Sequence, residues 1–92
     1  MMYSKKYSLE KIEEFGKHNP LYEGVEGSLC YLAYLHVGER GWFLYHRGNV
    51  FRSDIPHRVH TSVIKSVEYL DDQVILTTEN TRFIFKAIGE EQ

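Results

Sequence analysis

The 92-residue chain has a single cysteine, Cys30, so it cannot form an internal disulfide, and a secreted, stapled scaffold is excluded. Cys30 sits in the apolar run Leu29-Cys30-Tyr31-Leu32, where a free thiol reads as a small buried hydrophobe rather than a nucleophile with a base beside it. Long hydrophobic runs are also missing. The longest, over 29–35, is far shorter than a membrane-crossing helix, and the start of the chain has no apolar stretch that would make a signal peptide. A soluble, reducing, cytoplasmic setting is the expectation. No G-x-S-x-G elbow, Walker A loop or G-x-G-x-x-G is present, and the sequence predicts a non-enzymatic protein without catalytic residues or a cofactor.

Metal-binding signatures are equally sparse. His57-Arg58-Val59-His60 holds an H-x-x-H spacing, but Pro56 beside it argues against a helix, and on a strand residues three apart point to opposite faces. With no Cys-x-x-Cys or His-Glu-x-x-His, no metal site is predicted. The net charge of −2 argues against a general nucleic-acid binder.

That small net charge hides a polarised distribution. Residues 1–35 carry four lysines and five glutamates, while residues 61–92 carry three basic and six acidic groups. Between them, residues 36–60 hold four arginines against Glu39 and Asp54, together with four of the five histidines. The middle block therefore gains positive charge as pH falls through the histidine range.

Apolar residues make up 42% of the chain, enough for one modest core, so a single domain over 1–92 is expected. Ser8 as an N-cap, Glu10 in the first turn, and Leu9, Ile12 and Phe15 at three-residue intervals predict a short helix over 8–18, ended by Gly16 and Asn19-Pro20. After a glycine-containing loop, residues 28–88 read as antiparallel sheet. A hairpin runs over 28–37 and 42–47 around Gly38-Glu39-Arg40-Gly41. A short extended piece follows at Val50-Phe51-Arg52. A meander over 58–70, 73–79 and 82–88 turns at Asp71-Asp72 and Asn80-Thr81. The fold class is α+β, mainly antiparallel β: one helix, then about five strands, closed as a small SH3-like or Sm-like barrel or left as a curled open sheet. The Sm likeness is topological only, because the Ile-Arg-Gly signature is missing. A chain this short often gains buried surface by self-association, so a homo-oligomer is expected.

Aromatic and basic residues concentrate over 31–60. Arginine forks bind phosphate or carboxylate oxygens bidentately, and aromatic faces stack on planar rings. The combination suits a small anionic, ring-containing ligand such as a nucleotide. The candidate residues are Arg47, Arg52, Arg58, His46 and His60 for charge, with Trp42 and Tyr45 for stacking. Alternation puts Trp42, Leu44 and His46 on one face and Phe43, Tyr45 and Arg47 on the other. The same rings and arginines also suit a subunit interface. Two further readings stand beside the ligand: a protein-interaction module or inhibitor docking by its aromatic hairpin, and a single-stranded nucleic-acid binder.

His60-Thr61-Ser62-Val63-Ile64-Lys65-Ser66-Val67 followed by Val74-Ile75-Leu76-Thr77-Thr78-Glu79-Asn80-Thr81-Arg82-Phe83 resembles a hairpin of small phage and prophage proteins. The resemblance covers about a third of the chain. It implies an accessory protein of anti-defence type, acting in the host cytoplasm by capturing a molecule such as a nucleotide signal. It transfers no site residue.

Overall fold

A computed structural model describes residues 5–46 and 56–90. Six antiparallel strands follow one another around a closed barrel in chain order: β1 (Lys5–Glu14), β2 (Leu29–Tyr34), β3 (Arg40–His46), β4 (His57–Tyr69), β5 (Gln73–Thr78) and β6 (Thr81–Glu90). β6 returns to pair with β1 and closes the sheet. The meander and the aromatic hairpin lie within a few residues of their predicted positions, and the barrel, not the open sheet, is the form adopted. The short piece at Val50-Phe51-Arg52 falls outside the described residues.

The N-terminal helix is not there. Residues 5–14 form β1, and the only helical turn described is a 3₁₀ turn at Pro20–Tyr22. Ser8 is no cap: it pairs with Leu29 on one side and Lys86 on the other. The cause is a β-bulge. Leu9 pairs with Phe85 and Lys11 with Ile84, so Glu10 is an extra residue with no partner of its own. The insertion resets the strand alternation and brings Leu9 and Ile12 onto the same face. Their three-residue spacing, which mimics a helical stripe, is one strand period lengthened by the bulge residue. Phe15 lies beyond β1 and is 53% exposed.

Strict alternation fills the barrel. Val74 and Leu76 on β5, Phe83 and Phe85 on β6, Phe43 and Tyr45 on β3, and Leu9 on β1 are all buried. Phe43 meets Phe83 and Phe85 edge-to-face, with centroids 5.5 and 5.2 Å apart, the arrangement that aromatic quadrupoles favour. The β1–β2 connection adds Tyr22, edge-on to Phe83 at 5.3 Å, and fully buried Val25. That connection thereby covers part of the core that the strands leave open. Cys30 is enclosed as well. Burial pushes its thiol up to about 12, so it stays protonated and inert at neutral pH.

A second bulge sets the hairpin faces. Leu32 pairs with Phe43 and Tyr34 with Trp42, which makes Ala33 the extra residue. Tyr34 therefore joins Trp42 on the outer face instead of sharing a face with Cys30 and Leu32. Its ring lies 4.3 Å from that of His36, and its hydroxyl donates to Glu39 at 2.7 Å.

Candidate functional site

The site follows from the length of β4. Its first half pairs with β3, from His57 opposite Tyr45 to Val63 opposite Arg40. Its second half pairs with β5, beginning at Ile64 opposite Thr78. Among the described residues, positions 57–62 therefore have a strand on one side only, and their other edge faces the β1–β2 connection.

The connection is held in place by a compact set of bonds. Glu14, the last residue of β1, accepts the backbone N–H of Asn19 at 2.7 Å, and its other oxygen lies 2.7 Å from His18 Nδ1. His18 Nε2 lies 3.0 Å from Glu23. Asn19 Oδ1 accepts the N–H of Leu21 at 2.9 Å and starts the 3₁₀ turn, where Pro20 needs no partner for a missing N–H.

Two clefts open between this connection and the β4 edge. The first, of about 520 Å³, is bordered by the stretch from Glu14 to Tyr22, by Arg40, by His60-Thr61-Ser62 and by Asn80-Thr81. The second, of about 450 Å³, lies between Asn19, Pro20, Leu21 and Glu23 on one side and Arg40, Tyr45 and His57 to His60 on the other. Asn19, Pro20, Arg40 and His60 border both, so the two are adjacent. Four side chains that carry positive charge, His18 counted as protonated, stand against the carboxylates of Glu14 and Glu23.

Tyr45, Arg58 and His60, three of the predicted ligand residues, meet in the second cleft. Tyr45 is buried, and its ring lies 5.2 Å from the His57 ring at 32°, a tilted pair beside the opening. Trp42 does not border either cleft. It lies on the outer face with the Arg58 guanidinium 4.5 Å above its ring, so it orients the arginine rather than stacking on a ligand in the cleft. His46 is buried 6.0 Å from the Tyr31 ring, pairs with Leu29 and borders neither cleft. Arg47 and Arg52 lie outside the described residues. His57 and His60 both border the second cleft, because it runs along a strand edge and receives side chains from both faces. Among the described residues no group of three or more His, Cys, Asp or Glu side chains is arranged to hold a metal ion. No helix there is long and apolar enough to cross a membrane.

Sequence reasoning missed the contribution of the β1–β2 connection, and it read Arg40 as a turn residue. Arg40 begins β3, where its Nε donates to Thr61 O at 3.2 Å. The neighbouring N–H of Gly41 donates to Thr61 Oγ1 at 3.0 Å, fixing β3 to β4 where the register shifts. Asn19-Pro20 is the one sequence signal on the opposite wall, where it starts the 3₁₀ turn rather than ending a helix.

The His18 clamp makes the wall pH-sensitive. Its hydrogen bonds to Glu14 and then Glu23 raise the His18 pKa above the ordinary histidine value. The Asn19 backbone N–H and then His18 hold Glu14 below the usual carboxylate range. The raised His18 contributes fully below its unfolded value and loses its contribution as pH rises through its folded value. The depressed Glu14 contributes above its unfolded value and loses it as pH falls through its folded value. The clamp is therefore strongest at roughly pH 4.5–6.5, between the two ordinary values. NMR titration is expected to place His18 above free histidine, and His18→Gln to flatten the alkaline side of the stability–pH profile. A His18 titration at or below the free value would contradict the bridge.

No protein family matches the chain, and no curated protein or solved structure does so either. The chemistry of the site therefore stands on its own residues.

Proposed function

We propose that the protein is a non-enzymatic binder that sequesters a small anionic, ring-containing molecule, with a nucleotide as the fitting class. The observation that carries this reading is the second cleft. It joins the Tyr45–His57 ring pair to Arg40, Arg58 and His60, in a volume within the range of small-molecule sites, roughly 300–1,000 Å³. Arg58 is oriented from behind by Trp42, which limits the side-chain freedom lost on binding. The phage-protein resemblance adds an anti-defence role in a host cytoplasm to the proposal, and this part rests on the 60–83 hairpin alone.

The test is calorimetry and thermal shift with AMP, GMP, CMP and UMP. At least one should stabilise the protein, and Arg58→Ala should weaken it about ten- to a hundredfold, since a hydrogen bond to a charged group contributes about 1.5–3 kcal/mol. His60→Ala should act in the same direction. Failure of all four monophosphates and of the corresponding triphosphates to bind at millimolar concentration would sink the reading.

A second reading is favoured by the outer face of the β2–β3 hairpin. Tyr34 and Trp42 sit opposite each other there, and Tyr31 is opposite Leu44, all four half-buried. A half-buried aromatic face beside Arg58 suits a protein partner or a second copy of the chain. It predicts self-association or capture of one partner that Trp42→Ala abolishes and Arg40→Ala leaves intact.

A further inference from the structure

The clefts differ in chemistry, and the difference narrows the ligand class. The second cleft contains the ring pair together with Leu21. The first has no ring pair on its wall, although Tyr22 borders it; Lys17, Arg40, His60 and the Asn80 amide are among its donors. The Thr61 hydroxyl is already committed to Ser62 O, and the Ser62 hydroxyl to Thr78, so those groups add surface rather than donors. Arg40 stands at the junction. Its Nε is fixed on Thr61 O, which aims the guanidinium while leaving its two terminal nitrogens for a ligand. The carboxylates that would repel an anion, Glu14 and Glu23, are both bonded to His18.

We propose that the ligand is a nucleoside carrying an oligophosphate chain. The ring occupies the second cleft, and the chain passes Arg40 and His60 into the first cleft toward Lys17 and Asn80. This rests on the ring-and-anion reading above and deepens it. Two adjacent volumes of about 520 and 450 Å³ offer more room than a ring with one phosphate fills. The Tyr45–His57 pair lies in the second cleft alone, whereas cationic side chains stand in both, Arg40 and Arg58 in the second and Lys17 and Arg40 in the first, a distribution that suits one ring followed by several phosphates.

The experiment compares each nucleoside monophosphate with the triphosphate of the same base by calorimetry on the full chain, at fixed ionic strength and with inorganic tripolyphosphate and hexaglutamate as further arms. The triphosphate is expected to bind at least tenfold more tightly than the monophosphate. Lys17→Ala, a change at an exposed side chain, should cut that ratio at least threefold. Equal affinity for mono- and triphosphate, with the Arg58 effect on monophosphate binding intact, overturns this proposal and leaves the parent reading standing. A ratio that Lys17→Ala and Asn80→Ala both leave unchanged overturns it as well. Absence of binding by any nucleotide removes both. Hexaglutamate bound more tightly than every nucleotide also overturns the proposal, in favour of an acidic strand pairing along the open edge of β4.

Discussion

Replacing Phe43 with alanine is expected to lower stability by about 3–5 kcal/mol and Tm by roughly 15–30 °C. Phe43 is fully buried, and its ring is the one that touches both Phe83 and Phe85 edge-to-face. It is opposite Leu32 on one side and Val59 on the other, so truncation opens a void at the centre of a continuous ladder. A closed sheet collapses poorly around such a void, because the strand spacing is set by backbone hydrogen bonds. Domains of this size have about 5–15 kcal/mol in total, so the loss is a large share. Phe15→Ala supplies the contrast. Its ring is 53% exposed with Arg82 5.7 Å above it, and its removal should change stability by about 0.5 kcal/mol or less. Urea denaturation of the two variants separates the strand from the helix reading of residues 8–18, since a helical stripe would place Phe15 in the core beside Leu9. Comparable losses in both variants would count against β1.

The β5–β6 hairpin is legible because nothing interrupts its alternation. Val74, Leu76 and Thr78 face in with Phe83 and Phe85 opposite, and the turns at Asp71-Asp72 and Asn80 carry residues suited to them. The N-terminal half was misread where bulges intervene. An extra residue at Glu10 turns a two-residue period into a three-residue one, and an extra residue at Ala33 moves Tyr34 to the outer face. A bulge has no composition of its own, so the spacing around Leu9 and Ile12 is equally good as one turn of helix. The site was readable in part for a related reason. Tyr45, Arg58 and His60 are close in the hairpin ladder and gather by local pairing. His18 and Asn19 reach the same place only because β4 leaves β3 for β5 at Ile64 and the β1–β2 connection lies across the gap. That is a property of barrel closure, with no local spacing to announce it. His46 was assigned to the ligand by its type, but its place beside Leu29 and Tyr31 turns it away from the clefts.

The same crossing point makes Gly41 a demanding position. A Cβ there would lie 2.5 Å from the backbone oxygen of Tyr34 and 2.6 Å from Ile64 Cδ1, with Leu35 Cδ2 at 3.5 Å. The leucine and isoleucine tips have some freedom to turn aside. The Tyr34 oxygen does not, since Tyr34 is paired with Trp42 directly after the Ala33 bulge. Gly41 itself is held by its N–H on Thr61 Oγ1. One of two ladders must give way, β2 to β3 or β3 to β4. Gly41→Ala is therefore expected to cost about 3 kcal/mol or more, at or beyond the upper end of ordinary overpacking. Gly16→Ala, with open space around it, should be silent. The folded fraction of Gly41→Ala should also bind nucleotide more weakly, because Arg40 is the adjacent residue and its bond to Thr61 lies on the ladder that shifts. Thermal melts and calorimetry on the same preparations read both effects. Gly41→Ala melting within a degree or two of the parent would mean that β2, β3 and β4 do not meet as closely as the bulged registers require.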